Sequence, residues 1–126
     1  MIESYEAFGD WNSIAELTKS LVQDAAMATF GSHKVRHFDG RELNLGGTWR
    51  EASLFELISK AVGEEVTGLT SYEDLKRIAG KLGIKVDPKW ITGKLAEEIF
   101  EFTCKDQLKE PIFIKGFPVD TSPLVR

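Results

Sequence analysis

The chain has 126 residues and a formal net charge of −4, with 42% hydrophobic and 29% charged residues. This balance is typical of one soluble globular domain and excludes wholesale disorder. A pI near 5.2 argues against a protein that binds nucleic acid by bulk positive charge alone, and no apolar run is long enough to predict a membrane-spanning helix.

The N-terminal part of the sequence predicts a strand followed by a long helix. Glu3 to Phe8 has the aromatic and polar pattern of a strand. From about Asn12 to Phe30 apolar residues recur every three or four positions, which is typical of an amphipathic helix. Ser13 and Glu16 have capping-box spacing, and a glycine follows the helix as a C-terminal stop. We expect the helix to bury one apolar stripe against the sheet, namely Ile14, Leu17 and Leu21.

The next segment predicts a β-hairpin. Asp39-Gly40 lies between two alternating runs, which is the strongest short hairpin signal and favours a type I′ turn. Val35 on one arm, with Leu43 and Leu45 on the other, should form the buried face.

The remaining sequence predicts three helices and one strand. Ser53 with Glu56 forms a second capping box, and Ser71 starts the next helix. The expected elements are helices from Ser53 to Gly63, from Ser71 to Gly83 and from about Gly93 to Leu108, a strand from Ile112 to Phe117, and a weaker extended piece from Thr121 to Val125. Leu95, Ile99 and Phe102 should share one face of the third helix. The fold class is therefore α+β.

Several polar residues favour a structural role over a chemical one. His33 and His37 lie near an aspartate, but no third His or Cys completes a zinc pattern. The single cysteine, Cys104, excludes an internal disulfide, fits a reducing compartment such as the cytoplasm, and has no neighbouring base to activate it. Gly93-Lys94 lacks the rest of a phosphate-binding loop, so Lys94 is interpreted as a surface charge. The acidic helix face is interpreted as solvated: Glu97, Glu98 and Glu101.

Glu3 and Tyr5 are the candidate binding residues. At positions i and i+2 of a strand, their side chains share one face. A carboxylate and a phenol oxygen suit an ammonium group, because the first supplies opposite charge and both accept hydrogen bonds. Spacing alone still favours a half-exposed strand face without a ligand, so both interpretations stay open at this point.

Segments at both ends of the chain carry a family resemblance. The first is E-S-Y-E-A-F-G-D-W followed by N-S-I-A-E-L-T-K-S-L, and the last is P-I-F-I-K-G-F-P-V-D-T-S-P-L-V-R. They resemble the L-E-x-Y-x-A-Y-x-D-Y and P-T-F-V-x-D-Y-P-x-x-x-S-P-L-A-K segments of class II lysyl-tRNA synthetases. Between them, H-F-D-G-R-E-L-N-L and T-G-K-L-A-E-E-I-F-E occupy family-like positions, so the resemblance covers the whole chain.

The resemblance implies that residues 1–126 are a fragment of a class II catalytic domain, between motifs 2 and 3, whose α+β core is an antiparallel sheet with flanking helices. The complete protein would activate lysine with ATP and Mg²⁺ and transfer it to tRNA, as a cytoplasmic homodimer. Glu3 and Tyr5 match the positions that receive the lysine ammonium group, and no catalytic or metal-binding residue is assigned. The ATP-binding arginines and the magnesium carboxylates would lie outside this segment. The isolated segment is therefore expected to be inactive, to bind no cofactor and to contact no membrane.

Two alternatives remain open from the sequence. One is the synthetase-like domain of a bifunctional, membrane-associated protein that forms lysyl-phosphatidylglycerol, since E-x-Y and S-P-L segments occur there too. The other is a free-standing paralogue that binds without catalysing. The complete reading frame separates them: upstream transmembrane helices would favour the first, and a stop codon after Arg126 the second. The start without a leader and the apolar end lead us to expect a piece cut from a larger protein.

Overall fold

The computed structural model describes residues 2–122 of the chain. Within this range the backbone forms four α-helices and four short β-strands, which confirms the α+β class. The strands form two separate two-stranded sheets: β1 (Lys34–Arg36) with β2 (Glu42–Asn44), and β3 (Arg50–Ser53) with β4 (Ile112–Lys115). The chain divides into two compact units, residues 1–50 and residues 51–126, and each unit is described by itself.

Helix α1, Trp11–Phe30, begins one turn earlier than the predicted capping box implies. Asp10 is the N-cap: its carboxylate accepts the Ser13 N–H at 3.0 Å, while Ser13 Oγ accepts the Asp10 N–H at 3.1 Å. The Ser13 N–H also lowers the pKa of Asp10 below its ordinary value. The prediction that Ser13 and Glu16 form the capping box is therefore wrong, because Ser13 is the third helical residue and pairs with the N-cap Asp10. Gly31 ends the helix with a φ of 65°, as predicted.

The face of α1 that is buried differs from the predicted one. The buried side chains are Ala15 and Ala26, on the side where Gln23 Nε2 donates to the Leu45 and Gly47 carbonyls at 2.8 and 3.0 Å. The short alanine side chains allow the backbone near Leu45 and Gly47 to approach the helix on that side. The Gln23 side-chain amide then holds this backbone by its two hydrogen bonds. The predicted stripe is wrong for this segment, because its members remain 38%, 45% and 50% exposed: Ile14, Leu17 and Leu21.

Strands β1, Lys34–Arg36, and β2, Glu42–Asn44, form the predicted antiparallel hairpin, with Val35 opposite Leu43. Both residues and Leu45 are half-buried. The predicted type I′ turn is wrong, because it requires a positive φ at two central residues and only Gly40, at 89°, has one. The His37 carbonyl accepts the Gly40 N–H at 2.9 Å, and the His37 N–H donates to the Arg41 carbonyl at 2.8 Å. These bonds close a three-residue loop.

The strand predicted from Glu3 to Phe8 is also wrong. Residues 2–6 have no regular secondary structure, and Ala7 and Phe8 form a turn. Phe8 has a φ of 60°, which is incompatible with an extended strand. A strand is stable only when a neighbour satisfies its backbone groups, and the described residues place no strand beside this segment.

The second unit alternates strands and helices around one core. Its elements are β3, Arg50–Ser53; α2, Leu54–Val62; α3, Tyr72–Leu82; α4, Thr92–Thr103; β4, Ile112–Lys115; and 3₁₀ turns at Lys105–Gln107 and Val119–Thr121. The three predicted helices are confirmed, with α4 ending five residues early. The strand from Ile112 ends at Lys115 because Gly116 takes a φ of 73°. The prediction of an extended piece from Thr121 is wrong at its first residue, because Thr121 lies in a 3₁₀ turn. The later residues Pro123 to Val125 lie outside the described residues.

The core of the second unit consists of aliphatic side chains from all three helices. The largest of them are each at most 2% exposed: Leu54, Ile58, Leu75, Ile78, Leu95 and Ile99. Phe102, predicted on the same face, is instead 63% exposed in the last turn of α4. The buried side chain at this end is Cys104, whose Sγ lies 3.3 Å from Thr103 Oγ1, so the prediction of a buried thiol is confirmed.

Candidate functional site

The two predicted binding residues lie together although no strand holds them. Tyr5 Oη donates to Glu3 Oε2 at 3.2 Å. Tyr5 is 91% exposed, and Glu3 is exposed as well. A carboxylate beside a phenol oxygen can accept an ammonium group, but an ion pair in open water is weak because solvent screens it. The pair therefore needs a covering surface before it can select a ligand, and its role in lysine binding stays a prediction.

The segment that carries this pair is anchored to the start of α1. Ser13 Oγ donates to Glu6 Oε2 at 2.6 Å, so a residue of the N-terminal segment contacts the capping box. Gly9 allows this approach, because a Cβ there would lie 2.5 Å from Glu6 Oε2 and 2.9 Å from Ser13 Oγ. Sequence reasoning missed Glu6 and Gly9. The only local signal is that Gly9 comes immediately before the N-cap, Asp10.

The hairpin loop forms a small polar cluster. Asp39 accepts the Arg41 N–H at 3.0 Å and Arg41 Nε at 2.6 Å, and His37 Nδ1 lies 3.0 Å away. The backbone N–H of Arg41, with smaller contributions from both side chains, lowers the pKa of Asp39 to about 2. His37 thus lies against the loop carboxylate. Within residues 2–122, no group of three His, Cys, Asp or Glu residues is arranged to hold a metal ion.

The acidic face of α4 is only partly solvated. Lys94 Nζ contacts Glu98 at 2.6 Å, and this hydrogen bond raises the pKa of Lys94. Lys105 lies 3.6 Å from Glu101, so two of the three acids form helical ion pairs at the surface, as their spacing indicated. Glu97 and Glu98 are both half-buried, but Glu97 has a different partner, because it accepts a hydrogen bond from Thr121 Oγ1 at 2.6 Å.

The start of α4 contacts the chain that follows β4. We call residues 117–122 the tail, and the contact made by Gly93, Glu97, Pro118, Asp120 and Thr121 the α4–tail contact. The Gly93 N–H donates to Asp120 Oδ2 at 2.9 Å, and Gly93 and Pro118 are buried. Tail residues also line a cleft of about 410 Å³ with α4 and Phe55. Sequence reasoning did not find this contact, because a long-range hydrogen bond leaves no local pattern.

No protein-family model matches the chain. Curated proteins named lysine–tRNA ligase match it over its whole length: one from Kineococcus radiotolerans is 49% identical, one from Mycolicibacterium gilvum 40%, and one from Pediococcus pentosaceus 33%. The chain is homologous to a segment of lysine–tRNA ligases. It spans only about a quarter of the length of these relatives, 25–26%. The resemblance to lysyl-tRNA synthetases is thereby confirmed.

The alignments to lysine–tRNA ligases cover every described residue of the chain. The matches extend over 126–128 aligned residues, so they include Glu3, Tyr5 and the tail as well as the helices. No described helix has the length and apolar character needed to cross a membrane.

Proposed function

We propose that the complete protein is a lysine–tRNA ligase, which activates lysine with ATP and transfers the lysyl group to tRNA. The observation that carries this proposal is the homology of the whole chain, at 33–49% identity, to proteins of that name. Because the chain spans about a quarter of those relatives, the activity belongs to the complete protein. Residues 1–126 would supply part of its class II catalytic domain.

In this proposal Glu3 and Tyr5 receive the side-chain ammonium group of lysine. Their 3.2 Å contact places two acceptor groups side by side, which supports the assignment. When the rest of the enzyme covers them, a neutral substrate side chain would leave the Glu3 carboxylate desolvated and without a partner. The cost of that unpaired charge is the source of selectivity for lysine.

The chemistry of adenylate formation requires groups beyond this segment. As the lysine carboxylate approaches the α-phosphate of ATP, negative charge grows there, and fixed cations must stabilise it. Among residues 2–122, no three His, Cys, Asp or Glu side chains are grouped as they would be around a metal ion. ATP and Mg²⁺ binding is therefore proposed for other parts of the complete protein, which we propose to be a cytoplasmic homodimer.

The exposed stripe of α1 supports the view that further protein covers this segment. Ile14, Leu17 and Leu21 lie along one side of the helix and are 38–50% exposed. A contiguous apolar surface of this kind marks an interaction face. In the complete ligase we expect other parts of the polypeptide to cover it.

The test is Glu3→Gln in the complete protein, assayed by lysine-dependent exchange of pyrophosphate into ATP. The substitution removes the charge and keeps the shape. A charge-assisted bond of this kind contributes roughly 1.5–3 kcal/mol, so KM for lysine should rise about ten- to a hundred-fold. Tyr5→Phe should have a smaller effect, because only one hydroxyl is lost.

The matched control is Glu110→Gln, which removes the same charge from an exposed loop before β4. Its exchange kinetics should equal those of the unmodified enzyme. If Glu3→Gln behaves like this control, the ammonium site is misassigned even when the complete protein charges tRNA. Formation of lysyl-phosphatidylglycerol by the complete protein would select the bifunctional alternative, and a protein that binds lysine without exchange would select the non-catalytic paralogue.

A further inference from the structure

The cleft that the tail lines in the second unit has the size of a small-molecule site. Its volume is about 410 Å³, and ligand sites in proteins usually measure about 300–1,000 Å³. Its walls are formed by helices α2, α3 and α4, the turn at residues 67–70 and the tail. All of its lining residues belong to the second unit, so the cleft lies within one compact unit.

Parts of the cleft wall are held in place by the core and by the α4–tail contact. Leu75 and Ala96 line the cleft and are also members of the hydrophobic core, each 1% exposed. The tail is fixed to the start of α4, because Asp120 Oδ2 accepts the Gly93 N–H at 2.9 Å. These walls are in place before a ligand arrives, so binding does not have to order them first.

Most side chains that line the cleft are apolar, and two of them are aromatic. Phe55 extends from α2, and Phe117 is the first residue of the tail. Phe117 is 47% exposed, so its ring offers apolar surface to a ligand. Aromatic rings pack well against a flat apolar molecule, and their faces also attract a cation. The shape and the apolar character of the cleft therefore suit a ligand that contains a ring.

The charge of the cleft is negative. Among the described residues that line it, Asp120 is the only one with an ionisable side chain, and this carboxylate is exposed. A carboxylate has about four acceptor positions, of which the Gly93 N–H uses one. The N-terminus of α4 carries about half a positive charge, so it offsets the carboxylate only in part. A negative group beside apolar walls favours a cation over an anion or a neutral molecule.

We propose that this cleft binds a small organic cation, a molecule with an apolar body that contains a ring and with an ammonium group. The body packs against Phe55 and Phe117, and the ammonium group donates to the Asp120 carboxylate. This binding is additional to the proposed recognition of lysine, because Glu3 and Tyr5 belong to the first unit. It also does not depend on the proposed function, since the cleft is formed by the second unit alone.

The test is a titration of the complete protein with tryptamine, followed by saturation-transfer NMR. Tryptamine has an indole ring and an ammonium group, and two matched molecules each change one of these features. Indole-3-propionate replaces the ammonium group with a carboxylate, and ethylamine lacks the ring. Tryptamine should bind with a Kd of about 1 mM or tighter, and the other two at least about tenfold more weakly. No binding of tryptamine, or equally tight binding of indole-3-propionate, would refute the proposal.

Two variants locate the binding in this cleft. Asp120→Asn removes the charge, while its amide oxygen still accepts the Gly93 N–H, so the tail keeps its place and the Kd for tryptamine should rise at least about tenfold. Gly68→Leu should abolish binding by filling the cleft. Gly68 is exposed, and a Cβ there would lie 3.6 Å from Phe55 Cε2, which is ordinary contact, so the longer side chain enters the cleft without disturbing the core.

Matched controls make the same changes at other exposed positions. Asp106→Asn lies just after α4, and Gly80→Leu lies in α3, where a Cβ meets nothing within 4 Å. Both should leave the Kd for tryptamine unchanged. If Glu3→Gln weakens the binding and Asp120→Asn does not, tryptamine occupies the predicted lysine site and the proposal is refuted. Binding to the 126-residue chain but not to the complete protein would also refute it, because another part of the polypeptide then fills the cleft.

Discussion

Leu95→Ala and Leu21→Ala are the same substitution on two helices, at positions that differ in burial. Leu95 on α4 is 0% exposed, and Leu21 on α1 is 50% exposed. Removing about three carbon groups at about 0.8 kcal/mol each gives roughly 2.4 kcal/mol, and the cavity raises the cost at a buried site to about 3–5 kcal/mol. Leu21 is already half exposed, so only about half of this roughly 2.4 kcal/mol applies and no cavity forms. We therefore expect the free energy of unfolding to fall by about 1 kcal/mol, a loss that the higher helix propensity of alanine reduces slightly.

The assay is urea unfolding of the 126-residue chain, combined with hydrogen exchange to follow α1 and α4 separately. Leu95→Ala should lower the free energy of unfolding of the second unit by at least about 3 kcal/mol. Leu21→Ala should lower that of the first unit by no more than about 1 kcal/mol. Equal losses at the two positions would show that the leucine stripe of α1 is buried, as its periodicity alone predicts, and would contradict the exposure that the structure assigns to it.

Three further outcomes follow from the contacts of the described residues. Arg77 and Lys81 donate to Glu64 and lower its pKa from 4.5 to about 2, so this acid stabilises the fold above about pH 4.5 and the effect is lost as the pH falls towards 2. Glu64→Gln should therefore lower the melting temperature at pH 6 but not at pH 2, and an equal drop at both would contradict the ion-pair account. Ser59→Ala should cost about 1–3 kcal/mol in urea unfolding, because the buried Val66 N–H loses its 2.8 Å acceptor, whereas no loss would show that water replaces it. The 126-residue chain alone should show no lysine-dependent pyrophosphate exchange above background, and exchange by the pure segment would mean that the catalytic groups are misplaced.

Local signals predicted much of the second unit. Ser53 and Ser71 start helices α2 and α3, and Gly63 and Gly83 end them with φ values of 74° and 78°. These features depend on residues within one turn of each other, so the sequence contains all the information needed. The pairing of Val35 with Leu43 in the hairpin is predictable for the same reason.

Features that depend on distant partners were less predictable. The prediction of a strand at Glu3 was wrong because a strand needs a neighbouring strand to pair with. The prediction that the apolar stripe of α1 is buried was wrong because periodicity indicates an apolar face without showing what covers it. The α4–tail contact joins residues that are 27 positions apart and has no local pattern. For the candidate site, the side chains of Glu3 and Tyr5 do lie together, but not for the predicted reason, because no strand aligns them, and the ligand came only from the family resemblance.

The measurement that tests the central proposal most directly is aminoacylation by the complete protein. Purified protein is incubated with ATP, Mg²⁺, tRNA and each amino acid in turn, and acid-precipitable charged tRNA is counted. We predict that lysine alone gives charged tRNA and that charging requires ATP. No charged tRNA with lysine, or charging with a different amino acid under the same conditions, would contradict the proposed function.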